Sequence, residues 1–107
     1  MIKAITCIKR KSGMSVEDFQ TYWRTDHAKV VKRLPGLRRY IQSHALLGGY
    51  RKGELIYDGI AEIWVDDVAA LRAMAGTAAY GAVQTDEENS IDRAKMALIL
   101  TQEHIIK

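Results

Sequence analysis

SVEDFQTYWRTDHAKVVKRLPG, residues 15–36, is the stretch that decides the fold. Ser15 has N-cap chemistry, and Asp18 follows at capping-box spacing. Val16, Phe19, Trp23, Val30, Val31 and Leu34 then recur by threes and fours, as on one face of a helix. Lys29, Lys32 and Arg33 fall in the last turns, where cations complement the helix dipole. Pro35-Gly36 blocks continuation. A single helix from Ser15 to Leu34 is predicted. His27 lies four residues after Trp23 and three before Val30, so it sits inside the apolar stripe. A titratable ring aimed inward needs a buried partner or a chemical role. Asp26 points roughly 100° away from it and reads as a surface or capping carboxylate. A partner for His27 is therefore expected from the sheet.

Before this helix, Ile2 to Ile8 is rich in β-branched residues and reads as a strand closed by Ser12-Gly13. After it, Leu37 to Leu47 reads as a second strand, with Tyr40, Gln42 and His44 on one face. Gly48-Gly49 through Gly53 is a connection. Tyr57 to Val65 alternates as a third strand, with Ile60, Glu62 and Trp64 sharing a face. Asp66 or Asp67 caps a second helix, interrupted at Gly76, and Thr77 to Gln84 forms a further short helix. The acidic stretch Asp86 to Asp92 reads as a loop, and Lys95 to Ile106 as the last strand. The order βαββαβ over 1–107, one domain, predicts an α+β, ferredoxin-like antiparallel sheet with both helices on one face. Strands one and four are apolar on both sides, as Ile5 and Cys7 against Ala4 and Ile8 show. The bare sheet face predicts a homodimer formed sheet to sheet.

Composition narrows the function classes. The 107 residues are 48% hydrophobic and 27% charged, with a net charge of +3. No apolar run approaches the roughly 20 residues that cross a bilayer, and the opening residues do not have the order of a secretory leader. One cysteine, Cys7, forms no internal disulfide, and a cytoplasmic setting is expected. Basic clusters at Lys9 to Lys11, Lys29 to Arg33, Arg38-Arg39 and Arg51-Lys52 are read as lining solvated turns or helix ends. Asp58 and Glu62 on the third strand argue against an RNA-binding sheet. No histidine pair has helical metal spacing and there is no Cys-x-x-Cys, so no metal site is expected. Glycine-rich phosphate, flavin and nicotinamide motifs are absent.

The chain resembles the EthD family of the dimeric α/β-barrel superfamily. The residues that carry the likeness are Phe19, Tyr22-Trp23-Arg24 and His27, then Leu34-Pro35-Gly36-Leu37-Arg38-Arg39-Tyr40 and Tyr57-Asp58-Gly59-Ile60-Ala61-Glu62-Ile63-Trp64. Asp86 to Asp92 and the ending Glu103 to Ile106 agree as well, although Ile91 stands where Phe is expected. The resemblance implies two ferredoxin-like subunits facing each other as a barrel, with a pocket between helices and sheet in each.

On this reading His27 is the candidate general acid or base, with His44, Tyr22 or Tyr40 polarising an oxygen. Phe19, Trp23, Trp64 and Glu62 are candidate substrate-binding residues. The sheet face used by Tyr40 and His44 is left open. The expected ligand is a small apolar, oxygenated compound, turned over by isomerisation, cyclisation or decarboxylation without an organic cofactor. The alternatives are an oxidoreductase or monooxygenase role, with haem as the one cofactor left open, and a ligand-binding accessory protein without turnover. No nucleic acid and no membrane is expected as a partner.

Overall fold

A computed structural model describes all 107 residues. Strand β1 (Ile2–Ile8) lies inside a four-stranded antiparallel sheet, between β3 (Gly59–Val65) and β4 (Ala97–Thr101); β2 (Arg39–His44) is the other edge, giving the order β2-β3-β1-β4. The helical layer contains α1 (Val16–Tyr22), a π-helical turn (Trp23–His27), α2 (Ala28–Val31), α3 (Val68–Ala75) and α4 (Ala78–Glu87). This is the ferredoxin-like βαββαβ arrangement. No helix is long and apolar enough to cross a membrane.

Register settles which strand residues meet the helices. Ala4 pairs with Ile63, which pairs with Tyr40, and Ile8 pairs with Gly59, which pairs with His44. Ala4, Ile8 and Val65 are buried. By alternation, Tyr40, Gln42 and His44 share their side of the sheet with this core. Lys3, Ile5, Glu62, Trp64, Arg39 and Ile41 occupy the open side. Two clusters make the core. Val31, Leu34, Val65, Met74 and Val83 form one, and Ile8, Phe19, Trp23 and Ile91 the other.

Local chemistry explains the element ends. Ser15 accepts from Asp18 N at 3.0 Å, Asp67 from Ala70 N at 2.8 Å and Thr77 from Tyr80 N at 3.2 Å, so three helices have side-chain N-caps. The predicted first helix is not α-helical throughout. In its middle, the Thr25 hydroxyl donates to Thr21 O at 2.6 Å and the Gln42 amide to Trp23 O at 2.7 Å. Side-chain donors thus take backbone carbonyls where the α ladder is interrupted. Asp86 and Glu87, expected in a loop, close α4 instead. The final strand ends at Thr101, short of the predicted Ile106, because residues beyond it have no neighbouring strand.

Candidate functional site

The π turn places Trp23 and His27 inward on the same stretch, both buried. His27 Nδ1 lies 2.7 Å from Asp86 Oδ2. The other oxygen, Asp86 Oδ1, accepts from Tyr22 Oη at 2.7 Å and Asn89 Nδ2 at 3.2 Å. Burial pushes the Asp86 carboxyl up, but the bonds from Tyr22 and His27 outweigh it and hold it below its ordinary value. Burial, then the bond to Asp86, pushes the Tyr22 phenol up, so it remains a donor. An ionised Asp86 only accepts, so His27 Nδ1 carries a proton and the lone pair of the neutral ring sits on Nε2. The buried side-chain atoms without a partner are His44 Nδ1 and Ser90 Oγ. His27 Nε2 makes no hydrogen bond within the chain, and the residue as a whole is 4% exposed.

A second polar chain runs along β2. Gln42 donates through Nε2 to Trp23 O and to Tyr40 Oη, each at 2.7 Å, which fixes its amide orientation. Its Oε1 then accepts from His44 Nε2 at 2.9 Å. His44 therefore holds its lone pair on Nδ1. Its ring lies 4.6 Å from the Trp23 ring, which stacks on Phe19 at 5.3 Å. Burial first, and the charge of Arg24 second, pull His44 below its ordinary value. Burial pushes Tyr40 up to about 12.

The structure thus joins Tyr22 to His27 through Asp86, and Tyr40 to His44 through Gln42, with Phe19 and Trp23 as aromatic packing. Glu62 and Trp64 do not join them. Alternation puts both across the sheet from the helices. There Lys3 pairs with Glu62 at 2.9 Å, and Trp64 Nε1 donates to Glu103 at 2.9 Å. Lys3 and Arg39 lie over the Trp64 ring at 5.2 and 4.9 Å. Two surface clefts lie away from His27. His27 lines neither the cleft of about 570 Å³ beside Lys9 to Met14 nor the one of about 290 Å³ beside Lys32 and Tyr40.

The partner of His27 comes from α4, not from the sheet as expected. Asp86 lies in the last turn of α4 and not in a loop. The signal was the three-residue step from buried Val83 to Asp86, which keeps Asp86 on the inward stripe. Asp58, expected on the third strand, immediately precedes it. It is fully buried, accepting from Arg10 N at 2.8 Å, Arg10 Nη1 at 2.7 Å and Tyr50 Oη at 2.6 Å. No group of three or more His, Cys, Asp or Glu side chains is arranged to hold a metal ion.

Fold and site define a ferredoxin-like α+β domain with a histidine–carboxylate pair in its helical layer. The EthD domain profile matches residues 11–94. The chain belongs to the EthD family. An EthD family protein of Bacillus halodurans C-125 superposes with a TM-score of 0.78 at 21% identity, over 97% of this chain and 99% of that one. HapK from Hahella chejuensis gives 0.74 at 15% identity, over 97% and 93%. A dimeric ferredoxin-like protein from Thermobifida fusca YX gives 0.71 at 18% identity, over 95% and 90%. At these identities the likeness carries the fold alone. A search of curated proteins finds no match.

Proposed function

We propose that this protein is a small homodimeric enzyme that moves a proton on a small oxygenated compound, with His27 as the base. The observation that carries this is the 2.7 Å contact between His27 Nδ1 and Asp86 Oδ2. It fixes the tautomer and aims a lone pair from Nε2, and it stabilises the imidazolium that forms when the ring takes a proton. Tyr22 and Asn89 hold Asp86 in turn. Proton abstraction next to a carbonyl is the step such a pair serves, as isomerisation, cyclisation and decarboxylation require. The chemistry draws on no organic cofactor.

The dimer follows from the open sheet face, where Ile60 and Ile99 are exposed in the single chain. A second copy laid on that face buries them. The structural neighbour from Thermobifida fusca is described as dimeric, in keeping with this reading.

The test is solvent exchange. A panel of small enolisable ketones and β-dicarbonyl compounds is incubated in D2O with the wild type or His27→Asn, and deuterium uptake is followed by proton NMR. The wild type is expected to exchange at least one compound roughly 10²–10⁴ times faster than His27→Asn. Equal rates in wild type, variant and buffer across the panel contradict it. A second reading, ligand binding without turnover, draws on the larger cleft lying away from His27. His27→Ala that binds the same compounds unchanged, with no exchange by either protein, favours it.

A further inference from the structure

Past the end of β1 the chain continues through Lys9-Arg10-Lys11. Asp92 N donates to Lys9 O and Lys11 N to Ser90 O, so this segment is tied to residues 90–92. Between it, the connection at Glu54 to Ile56, and Lys95 lies the cleft of about 570 Å³.

Arg10 is held in this cleft from beneath. Its backbone N–H and Nη1 both bind the fully buried Asp58, and its Nε donates to Met14 O at 2.8 Å. Tyr50 gives Asp58 a further bond. A guanidinium fixed on that many sides has one orientation, and its remaining edge is preorganised for a planar anion.

That edge already holds one. Arg10 Nη2 lies 2.6 Å from Glu54 Oε1 and Nη1 lies 2.9 Å from Glu54 Oε2. Lys9 Nζ adds a contact at 3.0 Å to the same Oε2. This is a two-pronged arginine clamp with a lysine at its side, the geometry that recognises carboxylates. The two carboxylates on Arg10 differ in one respect. Asp58 is fully buried, whereas the Glu54 side chain is 62% exposed and follows Gly53, whose φ is +121°. An exposed carboxylate gains little from its ion pair, so displacing Glu54 would cost little and leave the inner Asp58 pair in place.

The rest of the lining states what would replace it. Lys9, Arg10, Lys11 and Lys95 face the cleft against the single lining carboxylate that remains once Glu54 moves out, Asp92. Met14, Leu55 and Ile56 add apolar wall, and Ile56 is 83% exposed. A cationic clamp beside exposed apolar surface suits an anion with a hydrocarbon body.

We propose that this cleft is a binding site for a small organic carboxylate with a short apolar body, and that Glu54 is the internal occupant such a ligand displaces. The site is separate from the His27–Asp86 pair, and neither depends on the other.

Sodium benzoate, sodium acetate and sodium phosphate are titrated into the full chain at low salt, with affinity read by calorimetry and location by amide NMR shifts. Wild type, Glu54→Gln and Ile56→Ser are compared. Glu54→Gln is expected to bind benzoate at least tenfold more tightly than wild type, with shifts at Arg10, Lys11, Met14 and Leu55. Ile56→Ser, a change at an exposed side chain, is expected to weaken benzoate several-fold and leave acetate unchanged. Equal benzoate affinity in Glu54→Gln and wild type overturns the proposal, as do shifts confined to other parts of the chain. Phosphate binding as tightly as benzoate also overturns it, since the cleft is then a general anion patch. If Glu54→Gln does not fold, wild type and Ile56→Ser decide alone. Loss of the benzoate preference over acetate in Ile56→Ser upholds the site, and no change overturns it.

Discussion

Trp23 lies so close over Gly59 that a Cβ there would meet the indole at 2.5 Å and Ser43 O at 2.8 Å. The absence of a side chain at the start of β3 is what lets the indole reach the sheet. Trp23 is fully buried in that position, against Phe19 and His44. Gly59→Ala is therefore expected to destabilise the fold by about 1–3 kcal/mol through overpacking. Urea unfolding measures it. A change within 0.5 kcal/mol of zero, the usual range for a neutral surface substitution, would show that the contact relaxes freely.

The two carboxylates on Arg10 predict opposite outcomes for stability. Asp58 is fully buried and takes three hydrogen bonds. Its removal leaves Tyr50 Oη and the Arg10 backbone N–H without their acceptor and takes one of two carboxylates from the half-buried guanidinium, so Asp58→Ala is expected to cost at least about 1–3 kcal/mol. Glu54→Gln breaks an exposed pair and is expected to cost less than about 1 kcal/mol. Thermal unfolding of both variants checks the difference, and comparable losses would contradict this division of roles.

His44 gives a pH dependence of definite sign. Burial and Arg24 lower its folded value below the ordinary 6.5. The unfolded chain therefore takes up the proton first, and this group's stabilisation, complete above pH 6.5, declines as the pH falls through the folded value. His44→Phe keeps an aromatic ring beside Trp23 and removes the titration. Urea midpoints at pH 7.5 and 5.5 are expected to fall further in the wild type than in His44→Phe. Equal falls would place the pH sensitivity elsewhere.

The fold was legible because its signals are local. Ser15 caps, the Val16-Phe19-Trp23 spacing and Pro35 bound the first helix, and the β-branched run Ile2 to Ile8 and the alternation in residues 59 to 65 mark the strands. What escaped depended on register or on distant partners. Trp64 and Glu62 alternate correctly, but no single strand reveals which face meets the helices. The π turn needs the Gln42 amide, 19 residues away, to take the Trp23 carbonyl. Asp86 meets His27 only because α4 extends to Glu87, and an acidic run resembles a solvated loop until its neighbour Val83 is seen buried.

The open sheet face makes association testable. Ile99 is 61% exposed on β4, so Ile99→Lys is tolerated by the single chain but places a charge on the face proposed to meet a second copy. Sedimentation velocity at micromolar concentration is expected to show a wild-type dimer and an Ile99→Lys monomer with an unchanged circular dichroism spectrum. A wild-type monomer would refute the interface.

Asp86 holds His27 in one tautomer, with Nε2 free of any partner in the chain. Two-bond nitrogen–proton correlation NMR of the imidazole reads it directly, at a pH where the ring is neutral. The expected spectrum shows Nδ1 with a protonated-type shift and Nε2 with the shift of a bare lone pair. Asp86→Asn, which removes the ionised acceptor, is expected to lose that preference. A neutral His27 protonated on Nε2 in the wild type, or a tautomer unchanged in Asp86→Asn, would contradict the account.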